Sequence, residues 1–249
     1  MITIAAKQLV KPVLQKLTSA IYRNRPLKSW PPIMSRIHDI NVPRAVKPHS
    51  TPQPLGAANI NILISLIERT RNIDGEIAEC GVYRGDSLVP MAIYASQQGI
   101  RKIFHGFDSF EGFAESIVKD QLLGGAELDY KRPGGMNETS KEYVAAKLTR
   151  FGLGNVQLHK GFFEHSLQEC SKLSFSFVHL DCDAYDAYSQ CLEFFYPRLL
   201  PGGIILLDEY NDPPWPGCNK AVDEYLSSRP EHCALIASDN YEKYFIVKQ

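Results

Sequence analysis

From Gly75 onward the chain alternates between short apolar runs and segments with apolar residues at helical spacing, and this alternation constrains its fold more than any other feature. The runs are strand candidates at Glu76–Cys80, Lys102–Phe107, Val156–His159, Phe175–Leu180, Gly203–Leu207, Ala234–Ala237 and Tyr244–Val247. Helical patterns lie at Asp86–Gln98, Ser140–Phe151, Phe163–Cys170, Tyr185–Leu199 and Ala221–Ser228. Strands that alternate with helices predict βαβ units, and therefore a doubly wound, mostly parallel α/β sheet with helices on both faces. The last two candidates predict a C-terminal antiparallel hairpin, which completes a sheet of seven strands.

Residues 1–54 differ in character from the rest of the chain. A helix candidate at Ile4–Tyr22 is followed by a proline-rich stretch, and proline is excluded from helix interiors. We expect this region to wrap over the surface of the domain. An amphipathic helix at Leu55–Arg71 then leads into that domain, which extends over residues 55–249.

The segment 111–137 interrupts the alternation. It carries five glycines, mixed charge and little periodicity, which predicts a long loop, with room for one helical turn, between the second strand and the next helix. Loops of this length are uncommon in compact domains unless they are functional or disordered. Two interpretations stay open at this point, a lid over a substrate and a merely mobile insertion.

Composition excludes several classes of protein. With 27 basic and 28 acidic residues the net charge is -1, so no overall field favours nucleic acid or an anionic membrane. The apolar runs are much shorter than the ~20 residues of a membrane span. The six cysteines form no CxxC pair and no Cys/His cluster at zinc-like spacing, so we expect reduced thiols in a cytoplasmic protein. The sequence leaves open whether the protein forms a homo-oligomer.

A turn with two glycines follows the first strand, at Glu79–Ser87. Gly81 and Gly85 permit a close approach of the backbone to a ligand, and Ser87 opens the next helix. The turn is not the GxGxxG fingerprint, because Tyr83 stands where that pattern has glycine and no third glycine follows. A nicotinamide dinucleotide is therefore disfavoured, and a cofactor without a pyrophosphate suits the turn better.

The second strand ends near Asp108, and ligands of open parallel sheets bind beyond the carboxyl ends of the strands. An acid at this position can accept two hydrogen bonds from a ribose diol. The alternative is that Asp108 only caps the following turn. Its position about 20–30 residues after the glycine turn matches that of a ribose acid and favours the first interpretation.

Six acidic residues follow the fourth and fifth strands, at Asp181, Asp183, Asp186, Asp208, Glu209 and Asp212. Aspartates are common in turns at strand ends, but two clusters at one sheet edge repel each other unless they share a cation or a proton. Carboxylates without a matching His/Cys set suit Mg²⁺ rather than zinc. Such an ion would lower the pKa of a bound substrate hydroxyl, and Asp181 could accept its proton. His179, inside the fourth strand, is expected to be a hydrogen-bonded core residue.

Taken in order, these motifs resemble the macrocin O-methyltransferase family and, more distantly, catechol O-methyltransferase. The motifs are Glu79–Ser87, Asp108–Phe113, Asp181–Tyr185, Tyr196–Leu199 with Gly202 and Gly203, and Asp208–Tyr210 followed by Cys218–Tyr225. Each motif alone is weak, whereas the ordered set over about residues 75 to 226 is specific.

The resemblance implies a Rossmann-like fold and methylation of a hydroxyl on a sugar or other polyhydroxylated small molecule, such as a glycoside or natural product. The implied cofactors are S-adenosylmethionine (SAM) and Mg²⁺ or a similar divalent cation. The implied metal ligands are Asp181, Asp208 and Glu209, with Asp181 also as the catalytic base. The implied SAM-binding residues are Glu79, Gly81, Tyr83, Ser87, Asp108, Ser109, Gly161, Phe162, Phe163 and Asp181.

Two positions depart from these families. Glu209 replaces the second aspartate of the usual metal-binding pair, and Ala184 stands where enzymes similar to catechol O-methyltransferase have a catalytic lysine. Two alternatives to the metal-dependent enzyme therefore stay open. One is a metal-independent methyltransferase in which Asp181 or Asp183 binds the acceptor directly, and the other is a binding module without turnover.

Overall fold

The computed structural model of the protein describes residues 57–124, 131–238 and 241–249. The predicted helix at Ile4–Tyr22 and the proline-rich stretch up to residue 54 lie outside the described residues. Among the described residues, no helix combines the length and apolar character that a membrane span requires.

The strands in the described part of the chain form a single sheet, as the alternation predicts. They are β1 (Glu76–Cys80), β2 (Phe104–Asp108), β3 (Val156–Lys160), β4 (Phe175–Leu180), β5 (Leu199–Leu207), β6 (Ala234–Ser238) and β7 (Tyr241–Val247). Their order in the sheet is β3-β2-β1-β4-β5-β7-β6. The first five strands pair in parallel, and β7 runs antiparallel to both β5 and β6. The predicted α/β class and the C-terminal antiparallel hairpin are thus confirmed.

Among the described residues, the helices are α1 (Ala57–Thr70), α2 (Leu88–Gln97), α3 (Ile117–Leu122), α4 (Lys141–Arg150), α5 (Phe163–Ser166), α6 (Tyr185–Phe195) and α7 (Pro216–Leu226). Short 3₁₀ turns follow α5 at Leu167–Cys170 and α6 at Tyr196–Arg198. The predicted helix at Phe163–Cys170 is therefore divided in two. Helix α7 begins earlier than the predicted Ala221, because Pro216 has the fixed φ that suits a first helical position. The segment 111–137 contains α3, a helix of six residues, where the sequence pattern predicts a long loop with room for one helical turn.

Two apolar layers cover the sheet. Residues of α1, α2 and α4 pack with Phe177 and Ile204 on one face, and residues of α6 and α7 pack with Phe175 and Leu207 on the other. Every residue of β4 is buried, as expected for a parallel strand between two helical layers. Burial of each large apolar side chain contributes about 1.5–3 kcal/mol, so the layers hold the strand ends in fixed positions.

The sheet order places a topological switch point between β1 and β4, because the chain proceeds from β1 toward β3 on one side and from β4 toward β5 on the other. Ligands of doubly wound folds bind at this point. Gly81 follows β1 there with φ +90, and a Cβ atom at this position would lie 1.7 Å from the Asp181 carbonyl oxygen. The close approach of the two strand ends therefore requires glycine.

Candidate active site

A cavity of about 1320 Å³ opens beyond the carboxyl ends of the parallel strands. This volume exceeds that of most single-ligand pockets, which is about 300–1,000 Å³, so two small molecules can fit together. Nine predicted cofactor residues line it: Gly81, Tyr83, Ser87, Asp108, Ser109, Gly161, Phe162, Phe163 and Asp181. Glu79, Asp208 and Glu209 are not among the lining residues and lie behind this wall.

Asp108 anchors the glycine turn from the neighbouring strand. Its Oδ2 accepts a hydrogen bond from the Tyr83 backbone N–H at 2.7 Å, and its Oδ1 accepts one from the Phe110 N–H at 2.6 Å. Burial raises the pKa of Asp108, and the backbone hydrogen bonds oppose that rise. Asp108 therefore caps the turn. The same carboxylate lines the cavity, and its contact with a ribose stays a prediction.

Helix α4 fixes the glycine turn from outside. The ammonium of Lys147, which is 1% exposed, donates to Asp86 at 2.9 Å and to the Arg84 carbonyl at 2.6 Å. Tyr83 has a φ of 47°, in the left-handed region, and Thr139 donates to its carbonyl oxygen. No local sequence pattern points to Lys147, because the turn that it contacts lies about 60 residues earlier in the chain.

A buried row of alternating charges lies behind the cavity. The imidazole of His179 on β4 contacts Glu79 Oε1 on β1 at 2.9 Å and Asp208 Oδ1 after β5 at 3.2 Å. Burial opposes protonation of His179, but the hydrogen bonds to Asp208 and Glu79 outweigh it and raise its pKa to about 10. His179 is thus a hydrogen-bonded core residue, as expected. Glu79 is fully buried, and its role as a cofactor ligand stays a prediction.

The row continues to Lys243 on β7, which donates to Asp208 Oδ2 at 2.5 Å. Burial of Asp208 alone would raise its pKa, but His179 and Lys243 outweigh this effect and lower the pKa to about 2. Asp208 is therefore ionised, and each of its carboxylate oxygens already has a cationic partner. The sequence gives no sign of this lysine, because only strand pairing brings it to the site.

The three predicted metal ligands meet in space. Oxygens of Asp181, Asp208 and Glu209 all lie within 4.8 Å of one another, so the donor set has the right chemistry and spacing for a hard divalent cation. Burial and then repulsion by Asp208 raise the pKa of Asp181 to about 6. Burial and then Asp183 raise the pKa of Glu209 well above its usual value. The set therefore favours an added cation or shared protons.

Asp183 also projects toward this edge and lines the cavity. Its φ is 61°, in the left-handed region, where a non-glycine residue is strained. Its backbone N–H donates to Glu209 Oε2 at 3.3 Å, and Glu209 Oε2 also accepts a hydrogen bond from the Tyr188 hydroxyl at 2.6 Å. Burial and then Asp181 raise the pKa of Asp183 well above its usual range.

The described parts of the segment 111–137 form one side of the cavity. Phe113, Gly134 and Met136 line it. Phe113 packs against Trp215 with ring centroids 5.8 Å apart, and Lys131 donates to the Pro214 carbonyl at 3.0 Å. The segment therefore contacts the loop that precedes α7.

Comparisons with known proteins agree with this geometry. The family model described as Macrocin-O-methyltransferase (TylF) matches residues 46–246. The chain belongs to the macrocin O-methyltransferase family. One similar protein is an 8-demethyl-8-(2,3-dimethoxy-alpha-L-rhamnosyl)-tetracenomycin-C 4'-O-methyltransferase of Streptomyces olivaceus. It is 27% identical, and the match covers 88% of this chain and 85% of the relative. Another is a mycinamicin III 3''-O-methyltransferase of Micromonospora griseorubida, 28% identical, with 69% and 68% covered.

Solved structures of methyltransferases share the fold of this macrocin O-methyltransferase family member. The O-methyltransferase NovP superposes with a TM-score of 0.64 at 21% identity, over 97% of this chain and 99% of that one. CalS11, a calicheamicin methyltransferase, superposes with a TM-score of 0.66 at 18% identity, over 98% and 93%. The predicted family and the predicted Rossmann-like methyltransferase fold are confirmed.

Proposed function

We propose that the protein transfers the methyl group of SAM to a hydroxyl of a sugar or another polyhydroxylated small molecule. The observation that carries this proposal is the shared cavity, where the glycine turn, Asp108 and the Gly161–Phe163 segment face Asp181 and Asp183. The named relatives act on glycosylated natural products, which supports an acceptor of this class.

The charge of the cavity wall suits a cationic cofactor. Seven carboxylates line it, at Asp86, Asp108, Glu115, Glu164, Asp181, Asp183 and Asp186, whereas Arg84 is the one lining residue with a permanent positive charge among those described. SAM carries a sulfonium and an ammonium group, and its ribose diol can donate hydrogen bonds to an acid such as Asp108. Phe162, 37% exposed, offers an apolar ring on which a purine can stack.

Chemistry at the acceptor needs a proton acceptor and fixed geometry. In this proposal Asp181 or Asp183 takes the hydroxyl proton as the methyl group is transferred in line. Both line the cavity at the end of β4, next to the turn of Gly81. Burial raises the pKa of each carboxyl, which makes its ionised form a stronger proton acceptor.

The same proposal includes Mg²⁺ or a similar cation held by Asp181, Asp208 and Glu209. When bound, such an ion lowers the pKa of a coordinated hydroxyl. The protein's own contribution is to hold these acids together, with Tyr188 orienting Glu209 and His179 orienting Asp208.

Metal-independent transfer is the second candidate, and the contacts of Asp208 favour it. Both of its carboxylate oxygens are engaged by His179 and Lys243, so internal cations already neutralise part of the acidic edge. In that case Asp181 or Asp183 would bind the acceptor directly. The residual excess of carboxylates at the same edge favours the metal-dependent form.

Calorimetric titration with S-adenosylhomocysteine, with and without Mg²⁺, tests cofactor and metal separately. We expect one binding event per chain, and transfer of labelled methyl from SAM to hydroxylated glycosides in the presence of Mg²⁺. Absence of S-adenosylhomocysteine binding by folded protein would reject the proposal. Methyl transfer to each of a set of hydroxylated glycosides identifies the substrate. The mass of the native protein, compared with the mass of one chain, shows whether it is a homo-oligomer.

A further inference from the structure

A second group of metal-binding atoms lies away from the cavity, at the β2–β3 edge of the sheet. It comprises His105 on β2, His159 on β3 and Cys170 at the end of the 3₁₀ turn after α5, all buried. His105 Nδ1 lies 3.0 Å from His159 Nε2 and 3.4 Å from Cys170 Sγ, and the sulfur lies 3.7 Å from His159 Nε2. None of these residues lines the cavity.

These spacings match the edges of a tetrahedral zinc site. Bonds of about 2.0–2.1 Å to nitrogen and 2.3 Å to sulfur at tetrahedral angles separate two nitrogens by about 3.3–3.4 Å, and nitrogen from sulfur by about 3.5–3.6 Å. The separations among His105, His159 and Cys170 differ from these values by a few tenths of an ångström. One thiolate and two imidazoles form a donor set of the kind that selects Zn²⁺ over Mg²⁺.

Glu169 supplies the outer contact that zinc-binding histidines commonly have. Its Oε2 lies 2.6 Å from His159 Nδ1, on the side of the ring that faces away from the cluster. When His159 carries its proton on Nδ1, the lone pair of its Nε2 is directed at His105 and Cys170. This tautomer is the one that can bind a metal ion. With Zn²⁺, one thiolate and the Glu169 carboxylate, the formal charges of the group cancel.

Without an ion, the two imidazoles are joined by a hydrogen bond. The planes of the two rings differ by 22° and their centroids lie 5.3 Å apart. The N–H group of one ring therefore points almost directly at the ring nitrogen of the other. Burial and then His159 lower the pKa of His105 to about 4, so the His105 ring is neutral at neutral pH. Ion binding would require His105 to move its proton to Nε2, both rings to turn toward the sulfur, and Cys170 to release its thiol proton to solvent.

We propose that His105, His159 and Cys170 bind one structural Zn²⁺, with a water molecule as the fourth ligand. Glu169 contacts His159 from the outer side of the ring, and its side chain is 58% exposed, so solvent lies close to the cluster. The ion would join both ends of the segment 161–166, since His159 precedes it and Cys170 follows it. That segment carries Phe162 and Phe163 into the cavity wall, so the ion would fix the wall from behind. This proposal is independent of the one for the reaction.

Titration of the metal-free full-length protein with Co²⁺, followed by displacement with Zn²⁺, tests the site. We expect one equivalent of Co²⁺ to give a thiolate-to-cobalt charge-transfer band, and Zn²⁺ to remove it and raise the melting temperature. Cys170→Ser should abolish the band and weaken Zn²⁺ binding by more than the about 10–100-fold effect expected for loss of an outer contact in Glu169→Gln. His159→Gln provides a second ligand variant should Cys170→Ser fail to fold.

Two controls separate this site from other ligands in the chain. Cys191→Ser removes a buried thiol that neighbours Cys80 and Cys182, and it should leave the band unchanged. Asp181→Asn alters the acidic site and should also leave it unchanged. The proposal is overturned if no band forms in the parent protein, if the band survives Cys170→Ser in folded protein, or if Cys191→Ser or Asp181→Asn removes it.

Discussion

Lys243 donates two hydrogen bonds to Asp208, one to the backbone carbonyl at 2.8 Å and one to carboxylate Oδ2 at 2.5 Å. The side chains are 9% and 14% exposed, so water screens the pair only weakly. Because Lys243 lies on β7, the C-terminal hairpin contributes a charge to the acidic edge formed by β4 and β5. The hairpin therefore serves the site as well as closing the sheet.

Replacement of this lysine should destabilise the protein. Lys243→Met keeps the length of the side chain but leaves Asp208 with one fewer cationic partner, and breaking a buried pair typically costs about 3–5 kcal/mol. We expect a loss of about 2–4 kcal/mol in the free energy of unfolding by urea, because His179 remains. Lys119→Met is the matched control, since Lys119 is 64% exposed and pairs with Asp186. That exposed pair is screened by water and should contribute far less to stability, and equal effects of the two variants would contradict the prediction.

Asp108→Asn should weaken binding of S-adenosylhomocysteine. Loss of a charged acceptor for the ribose diol removes about 1.5–3 kcal/mol per hydrogen bond, which corresponds to about a ten- to hundredfold higher Kd by calorimetry. Urea unfolding should change less, because asparagine retains one acceptor for the turn. Asp74→Asn, in an exposed turn before β1, is the control. Unchanged affinity in folded Asp108→Asn would remove the ribose role and leave only the turn cap.

Removal of divalent cations should abolish methyl transfer without abolishing cofactor binding. We expect activity to vanish in EDTA and return with Mg²⁺, and Asp181→Asn and Asp208→Asn each to lower kcat by at least about a hundredfold. Asp212 is an exposed residue that, like Asp208, follows β5, and Asp212→Asn should retain activity. Full activity in EDTA, in protein shown by elemental analysis to hold no metal, would select the metal-independent mechanism.

The stability of metal-free protein should depend on pH through Asp181. Its pKa of about 6 in the folded state lies above the usual 3.8, so folded protein binds the proton more tightly than unfolded protein. Stability from this group is present at low pH and is lost as pH rises through this interval. Asp181→Asn should therefore stabilise the EDTA-treated protein by about 1–2 kcal/mol at about pH 8 and by much less at about pH 4. Urea unfolding at both values tests this, and an equal gain at each would contradict it.

The segment 111–137 should become resistant to protease when cofactor and acceptor bind, as proposed for a lid. Its residues Phe113, Gly134 and Met136 line the cavity, so bound molecules would add contacts to it. We expect slower tryptic cleavage after Lys131 in the ternary complex than in free protein, measured by mass spectrometry. Cleavage after Lys172, an exposed residue outside the cavity, serves as the reference. Equal rates in both states would favour a segment that does not close.

Local patterns were sufficient to predict the sheet and much of the cavity. Parallel strands buried on both faces appear in the sequence as continuous apolar runs, and ligands meet their carboxyl ends. Gly81, Asp108 and Asp181 each follow such a run directly, so their positions on one edge could be predicted without coordinates. The ends of the helices and the division of Phe163–Cys170 into two short helices could not be predicted from the sequence. Short turns depend on packing, which the spacing of apolar residues does not reveal.

Only the tertiary structure decided which charges neutralise one another and which donors meet. Glu79, His179 and Lys243 lie far apart in the chain, and they contact only because β1, β4, β5 and β7 are placed side by side in the sheet. Cys170 has no zinc-like spacing to His105 or His159 in the sequence, yet strand pairing and the 3₁₀ turn bring the three within 4 Å of one another. The sequence by itself determined which residues stand at the ends of the strands, because each strand is a local run of apolar residues. The order of the strands, set by packing between distant segments, determined the partners of those residues.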